Sequence, residues 1–305
     1  MLYSKRGVYY MKIKQPVATK VFNIIGYVLI TIITIFCLLP FIMVVSGSLT
    51  NEEYIIMHGY SLWPKDFSTQ AYKTIFTYPK QILTAYGVTI MVTIIGTALG
   101  LFLISMGAYV LNRKDFKYRN GMSFYIYFTT LFGGGLIPWY ILMTKYLHLK
   151  DTYLVLILPL LMTPFLIILM RNFFKSIPDS IVESAKIDGA GDFTIYAKLI
   201  MPLSKSALAT IGLFLALAYW NDWFISSIYI DTPSKYTLQY LLYKILQDAE
   251  FLKSNAASNV TSSIQIPTET LKLATAVVAT GPVILFYPFV QKYFVDGLIV
   301  GAVKG

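Results

Sequence analysis

Runs of residues without a charge divide this chain into six long apolar segments. Five of the runs contain 19 to 30 residues, and the sixth is interrupted by one aspartate, Asp222. About 20 apolar residues are needed to cross a hydrocarbon layer roughly 30 Å thick. The pattern therefore predicts an all-α integral membrane protein with six transmembrane helices. The predicted helices are 21–45, 82–111, 120–144, 152–170, 207–230 and 273–291.

Composition supports the same interpretation. Of the 305 residues, 56% are hydrophobic and 13% are charged, whereas soluble domains carry about 25% charged residues. The helices of a soluble domain would also need polar faces, which these runs lack. The single cysteine, Cys37, excludes a disulfide framework, and the two histidines, His58 and His148, lie far apart in sequence. No metal site and no catalytic residues are predicted, so the chain is not expected to be an enzyme.

The charged residues predict the orientation of the helices. With six spans, the two termini and the second-to-third and fourth-to-fifth connections lie on one side, and this side carries 16 of the 25 basic residues but six of the 15 acidic ones. Positive charge accumulates in cytoplasmic loops, so both termini are predicted to be cytoplasmic. The net charge of +10 is thereby explained by topology, and no nucleic-acid partner is expected.

The fourth-to-fifth connection, residues 176–202, carries the most information. Pro178 suits the first turn of a helix, and the turn residues at 188–191 would end that helix. Asp192 can cap a second short helix, and Pro202 would then begin the fifth span. The residues alone fit an ordinary amphipathic loop at the membrane surface about as well as a specialised one.

The spacing of this connection resembles the EAA loop of ABC-transporter permeases. Glu183-Ser184-Ala185 is followed after three residues by Gly189, and after nine more by Leu199-Ile200-Met201-Pro202. In that family the loop is a coupling helix that docks in a cleft of the ATPase subunit. Gly189 should permit a backbone conformation or a close approach that a side chain would obstruct. The coupling residues implied by the resemblance are Glu183, Ser184, Ala185, Asp188, Gly189, Ala190 and Pro202.

Other segments resemble the carbohydrate-importer branch of this family. The tail at 291–305 is similar to the end of the smaller permeases of maltose-type importers, which reaches into the ATPase dimer interface. Residues 133–139, 151–153 and 170–174 look like the permeases for polysaccharide-derived oligosaccharides. The tail residues implied to contact the ATPases are Gly301, Lys304 and Gly305.

The resemblance implies a permease subunit of a binding-protein-dependent ABC importer in a bacterial cytoplasmic membrane. It would move an oligosaccharide inward by alternating access. Its implied partners are a second permease subunit in a heterodimer, two ATPase subunits, and an extracellular substrate-binding protein or lipoprotein, within a lipid bilayer. The chain has no Gly-x-x-x-x-Gly-Lys-Ser/Thr segment, so ATP and Mg are expected on the partner subunits, and no cofactor is expected on this chain.

This interpretation divides the chain into three parts. They are a cytoplasmic segment at 1–20, a transmembrane permease domain at 21–292 that contains the loop 176–202, and a cytoplasmic tail at 293–305. Three alternatives remain: a permease for another small solute, a secondary transporter, and a membrane-embedded enzyme. Secondary transport would require ionisable groups on several spans, and Asp222 is the one available.

Two predicted spans contain candidates for a sugar pathway. Gly134 and Trp139 lie where glycines and Pro138 interrupt the third span, as in helices that line transporter sites. Trp220, Asn221 and Asp222 in the fifth span offer an aromatic ring and polar groups for sugar hydroxyls. The alternatives are close helix packing at the glycines and a structural hydrogen bond from Asp222 to a neighbouring helix.

Overall fold

The computed structural model describes residues 4–5, 8–9, 16–258 and 267–302. Helices make up nearly all of the regular structure in these ranges. One exception to the all-α prediction is a pair of two-residue antiparallel strands, β1 (Ser4–Lys5) and β2 (Val8–Tyr9). The helices are α1 Val17–Ser48, α2 Glu52–His58, α3 Gln70–Ile75, α4 Pro79–Asn112, α5 Arg119–Leu131, α6 Leu136–Ile141, α7 Tyr153–Ile157, α8 Pro164–Phe174, α9 Asp179–Ile187, α10 Asp192–Ile195, α11 Met201–Leu203, α12 Lys205–Trp220, α13 Phe224–Tyr229, α14 Leu238–Ser258 and α15 Glu269–Ala302.

The candidate membrane-spanning segments are of two kinds, single long helices and bent pairs of helices. The helices α1 and α4, of 32 and 34 residues, are each long and apolar enough to cross a bilayer. Three bent pairs raise the number of candidate spans to five if each pair is one span: α5 with α6, α7 with α8, and the α10–α11 segment with α12. Residues 273–291 lie within α15. The membrane-protein class agrees with the sequence, while the count of six remains a prediction.

Three of the apolar runs are not single straight helices. The run 152–170 bends by 49° between α7 and α8. In the run 120–144, α5 ends at Leu131 and α6 begins at Leu136, with a bend of 111° between them. Gly135, at φ +82°, has a backbone conformation that favours glycine. In the run 207–230, α12 ends at Trp220 and α13 begins at Phe224. The prediction of a continuous fifth helix through Asp222 was wrong, because three residues between α12 and α13 leave the helix.

The chain divides into two compact units. The first contains Met1–Ala71 and Glu269–Val277, and the second contains Tyr72–Thr268 and Val278–Gly305. In the first unit, the Glu52 carboxylate accepts hydrogen bonds at 2.8 Å from the backbone amides of Glu269 and Thr270. A carboxylate at this position satisfies free amides and opposes the helix dipole. Glu52 therefore positions the start of α15.

The core of the second unit lies where α4 packs against α8 and α12. Its buried side chains include Ile104 on α4, Met170 on α8, and Ile211 and Leu215 on α12. Gly96 permits this packing, because a Cβ atom there would clash with the Tyr219 ring. The hydroxyl of Tyr219 donates to the Ile157 carbonyl at 2.7 Å. The helix α4 is thus held along its length by side chains of the bent pairs.

Candidate ATPase-coupling surface

The first helix of the predicted coupling loop is α9. Asp179 lies in its first turn and Lys186 in its last turn, and both charges oppose the helix dipole. Ala185 is buried, whereas Glu183 and Ser184 are exposed. The helix therefore packs by one narrow side, and its remaining surface faces away from the described chain.

The turn after α9 has the geometry that a glycine requires. Gly189 has φ +79°, its amide donates to the Lys186 carbonyl at 3.0 Å, and the Ala190 amide donates to the Ala185 carbonyl at 2.9 Å. This pair of bonds defines a Schellman motif, in which the left-handed residue is usually glycine. No described atom lies within 4 Å of a Cβ placed on Gly189. Within this chain, the glycine thus serves the backbone conformation and not a close approach.

The second helical segment differs from its prediction in two respects. Gly191 occupies the N-cap position and Asp192 is the first helical residue, so Asp192 does not act as the cap. Pro202 lies inside α11, and the fifth span begins three residues later at Lys205. A π-helical turn over Tyr196–Ile200 joins α10 to α11. The loop therefore continues as one helical segment to Leu203 before the chain turns by 85° into α12.

The second segment is anchored to α4 by buried contacts. The hydroxyls of Tyr196 and Ser105 are 2.7 Å apart, and the rings of Tyr196 and Tyr109 have centroids 5.5 Å apart. Ile195 and Ile200 are buried beside them. These contacts hold the second segment against α4.

Two large apolar side chains are exposed on either side of the glycine turn. Ile187 is 86% exposed at the end of α9, and Phe193 is 63% exposed in the first turn of α10. We call these two residues the apolar tip. A pair of exposed apolar side chains on a charged loop is typical of a surface that contacts another molecule.

Four charged residues connect α4 with both helices of the loop. Arg113, the residue after α4, donates from Nε to Asp115 Oδ1 at 2.8 Å, and its two terminal nitrogens form ion pairs with Asp115 and Asp192. Lys186 Nζ pairs with Asp115 Oδ2 at 2.8 Å. The hydrogen bonds from Arg113 and then Lys186 hold the pKa of Asp115 well below its usual range. We call Lys186, Asp115, Arg113 and Asp192 the charge chain.

A second, more exposed ion pair runs beside the charge chain. Lys114 Nζ lies 2.5 Å from Asp179 Oδ2, and this contact raises the pKa of Lys114. A cavity of about 230 Å³ opens between these groups and the base of α9. Its lining includes Tyr109, Phe174, Val182 and Glu183. The loop after α4 therefore forms one wall of a small cavity whose other wall is the first coupling helix.

The residues predicted for a sugar pathway occupy different environments. Trp220 is 8% exposed, and its Nε1 donates to the Ala279 carbonyl at 3.0 Å. Asp222 is half-buried and accepts at Oδ1 from the Ile225 amide in the first turn of α13 at 3.4 Å, although Trp223 occupies the N-cap position. Asn221, Trp139 and Gly134 are exposed. Trp220 and Asp222 therefore have structural contacts, while the side chains or backbone of the other three are exposed on this chain.

Aromatic pairs near these residues were not predicted from the sequence. Tyr140, next to Trp139, stacks on Tyr229 with centroids 5.6 Å apart. Trp223, next to Asp222, lies against Tyr243 of α14 with centroids 4.5 Å apart. The high aromatic content of the chain, 16%, makes such pairs common. The two rings of each pair are too far apart in sequence for their spacing to identify them. Of the predicted tail residues, Gly301 lies near the end of α15, and Lys304 and Gly305 lie outside the described residues.

Comparison with known proteins places this architecture in a family. The model for the binding-protein-dependent transport system inner membrane component matches residues 104–300. The chain is 40% identical over 286 residues to the polygalacturonan/rhamnogalacturonan transport system permease protein YtcP of Bacillus subtilis, covering 94% of this chain and 99% of that protein. Protein LplC of the same organism is 37% identical over 290 residues, covering 94% and 96%.

A solved structure gives the same assignment. The chain matches a crystal structure of a bacterial ABC transporter involved in the import of the acidic polysaccharide alginate, with a TM-score of 0.74 and 33% identity over 93% of this chain and 100% of that one. Family, relatives and structure agree with the resemblance drawn from the EAA-type spacing. The chain belongs to the family of binding-protein-dependent transport system inner membrane components, and it is a permease subunit of an ABC importer and not an enzyme.

Proposed function

We propose that this chain is one half of a permease heterodimer that imports an oligosaccharide, and that the loop 176–202 receives the movement of an ATPase subunit. Two ATPase subunits and an extracellular binding protein or lipoprotein complete the machine. ATP and Mg bind to the ATPase subunits, and both termini of this chain are cytoplasmic. The three parts of the chain at 1–20, 21–292 and 293–305 follow from this arrangement, in a bacterial cytoplasmic membrane.

The observation that carries the proposal is the apolar tip on either side of the Gly189 turn. Ile187 and Phe193 expose most of their surface, while the tyrosine behind them, Tyr196, bonds to α4. A loop that is anchored on one side and apolar on the other can transmit displacement from a docked partner to a spanning helix. Glu183, Ser184 and Asp188 supply exposed polar groups on the same loop, and Ala190 completes the glycine turn.

The test is copurification of the ATPase with the whole importer. We expect Phe193→Asp and Ile187→Asp each to weaken ATPase retention by about tenfold or more, because a buried large apolar side chain contributes about 1.5–3 kcal/mol. Phe251→Asp is the matched control, since Phe251 is 67% exposed on α14, far from the loop in sequence. Undiminished retention in both tip variants would refute the proposed coupling surface.

Gly189 tests the conformation of the same surface. A side chain in the left-handed region costs roughly 1–2 kcal/mol, so Gly189→Ala should reduce ATPase retention less than Phe193→Asp does. Gly189→Asn should lie between Gly189→Ala and the unmodified chain, because asparagine tolerates this region. If Gly189→Asn lowered ATPase retention more than Gly189→Ala did, the left-handed conformation of Gly189 would not be required for docking.

The names of the relatives support an oligosaccharide as the cargo. YtcP is named for polygalacturonan and rhamnogalacturonan, AraQ of Bacillus subtilis, 29% identical, for arabinooligosaccharides, and the solved transporter imports alginate. The test is ATP hydrolysis by the reconstituted importer with its binding protein and one of three probes: an oligogalacturonate, an arabino-oligosaccharide or an alginate oligosaccharide. Stimulation by none of the three, with stimulation by another class of solute, would refute the cargo class.

The sugar pathway is proposed to include Gly134, Trp139, Trp220, Asn221 and Asp222. Asn221 and Trp139 are exposed, which suits an amide for hydroxyl groups and a ring for a sugar face. Asn221→Ala and Trp139→Ala should lower uptake while the importer still assembles. Asp222→Asn separates sugar recognition from the hydrogen bond to α13, because asparagine retains the acceptor oxygen for the Ile225 amide. Normal uptake with normal ATP hydrolysis in Asp222→Asn would assign Asp222 only this structural hydrogen bond.

A further inference from the structure

The charge chain crosses the joint between the two helices of the coupling loop. Lys186 lies in the last turn of α9 and Asp192 in the first turn of α10. The backbone between them runs through residues 188–191, which include the two glycines Gly189 and Gly191. The Schellman bonds hold Gly189 and Ala190 to α9, and glycines permit many backbone conformations, so Gly191 is the point at which this joint can bend. Arg113 and Asp115 bridge it from outside, through side chains of the loop that follows α4.

The alternating signs make every link in the chain attractive. Asp115 lies between Arg113 and Lys186, and Arg113 lies between Asp115 and Asp192. Arg113 presents two nitrogens to Asp115 and a third to Asp192, which a guanidinium can do because its donors form a rigid planar fork. Removal of Asp115 would leave Arg113 and Lys186 as neighbouring positive charges.

The shielded, bidentate arginine at its centre distinguishes this arrangement from an ordinary surface ion pair. Isolated exposed pairs contribute little, and the exceptions are bidentate arginine pairs and networks of several charges. The Arg113 side chain is 15% exposed, and its guanidinium lies 5.9 Å from the centroid of the Tyr109 ring. Tyr109 in turn contacts Tyr196 of the second helix. The Arg113 guanidinium is therefore bidentate and largely shielded from water, whereas its partners Asp115 and Asp192 are 51% and 64% exposed.

We infer that Arg113 and Asp115 are positioning residues that lock α9 and α10 at a fixed angle to α4, so that displacement of the apolar tip moves α4 instead of bending the glycine joint. This inference rests on the proposed coupling function. Without the lock, a docked ATPase would still bind the tip. Its stroke would be absorbed at residues 188–191, and ATP would be hydrolysed without transport.

The experiment measures sugar uptake and ATP hydrolysis in the same proteoliposomes, with the complete importer and whichever of the three oligosaccharide probes drives uptake. We expect Asp115→Asn to lower the sugar transported per ATP by about fivefold, because both links to Asp115 lose their charge. Retention of the ATPase should stay unchanged, because the apolar tip is intact. Lys117→Gln is the matched control: it removes one positive charge from the same loop, where Lys117 lies over the Tyr118 ring.

A double-mutant cycle identifies the network. Lys186→Gln severs only the link to α9, so it should lower the ratio by about twofold to threefold, and Asp115→Asn with Lys186→Gln should be no worse than Asp115→Asn alone. Should Asp115→Asn fail to assemble, Lys186→Gln decides the question. An unchanged ratio in the assembled variants, or multiplied losses in the double variant, would overturn the inference.

The tip variants distinguish this outcome from failure of the proposed function. If Phe193→Asp and Ile187→Asp release the ATPase while Asp115→Asn and Lys186→Gln keep the ratio, the coupling surface stands and the positioning role is wrong. If the tip variants retain the ATPase, the coupling surface itself is wrong. A lower ratio with the ATPase retained in Asp115→Asn supports both.

Discussion

Two loops of the second unit are each organised by one aspartate, but by different means. Asp115 in the loop after α4 is held by two cations, Arg113 and Lys186. Asp151 in the loop after α6 accepts mostly from neutral donors: the amides of Asp231 and Thr232 at 3.2 and 3.1 Å, and the Thr232 hydroxyl at 2.6 Å. We call the contacts of Asp151 with Thr232 and Lys235 the Asp151 clasp.

The difference between neutral donors and charged partners indicates a different mechanical role for each loop. The neutral donors fix the orientation of Asp151, whose own amide donates to the Tyr229 carbonyl at 2.9 Å. The charge chain joins three separate elements through side chains, and its attraction acts over longer distances. The first arrangement suits a fixed connection in the loop predicted to be extracellular, and the second suits a link that bears displacement.

The largest expected effect is the loss of the Asp151 clasp. Asp151→Ala should lower the free energy of unfolding by about 3 kcal/mol: about 2 for the unpaired donors and about 1 for alanine in the left-handed region, since Asp151 has φ +56°. Asp151→Asn, which retains an acceptor and tolerates this conformation, should lose less than half as much. The midpoint of thermal unfolding in detergent measures both, and equal losses would contradict the neutral-donor account.

The next largest effect is expected from salt, which should weaken the contacts of Asp115 more than those of Asp151. Raising the salt concentration from 0.1 to 1 M shortens the Debye length from about 10 to about 3 Å. The destabilisation caused by Asp115→Asn, about 1 kcal/mol at low salt, should therefore shrink by roughly half at 1 M. That caused by Asp151→Asn should change less, because the Thr232 donors are neutral. The measurement is the difference in unfolding midpoint between each variant and the unmodified chain at both salt concentrations. If salt reduced both differences equally, the two aspartates would not differ in the way proposed.

The sequence predicted the apolar segments, the connection 176–202 and the turn at Gly189, because these depend on local runs and local conformation. It did not predict that α12 ends at Trp220. Hydropathy continues through residues 221–230, but the backbone leaves the helix at residues 221–223, where Asp222 accepts from the first turn of α13. In the sequence, an aspartate at a helix break looks the same as an aspartate within a continuous helix, so the apolar run alone predicted the wrong structure.

The charge chain could not be predicted from the sequence for a different reason. Arg113 and Asp192 are 79 positions apart, and each lies among several residues of either sign. Counting these charges predicted the orientation of the loops but not their pairing. The partner of Arg113 depends on how α4 packs against α8 and α12, which brings its end to the coupling loop. Pairing of this kind follows from the tertiary packing and not from a local pattern.

A smaller effect is expected where charge is kept but geometry is lost. Arg113→Lys should lower the sugar transported per ATP by about twofold, because an ammonium is a single point charge and cannot bridge two carboxylates as a planar fork does. Lys235→Arg in the Asp151 clasp is the matched reverse change, and it should leave the ratio unaltered. A ratio for Arg113→Lys equal to that of the unmodified chain would show that charge alone holds the coupling helices.

The smallest expected effect is that of mild acid. The Arg113 and Lys186 contacts lower the pKa of Asp115, and the Thr232 hydroxyl lowers the pKa of Asp151. A lowered folded-state pKa contributes stability that is fully present above the unfolded value, about 4, and is lost only as the pH falls further. The charged groups that face these carboxylates are Arg113 and Lys186 at Asp115 and Lys235 at Asp151. The midpoint difference between the unmodified chain and Asp115→Asn, or Asp151→Asn, should therefore be equal at pH 5.5 and 7.5. A difference for Asp115→Asn that shrinks at pH 5.5 would mean that its carboxylate takes up a proton there, which the two neighbouring cations should prevent.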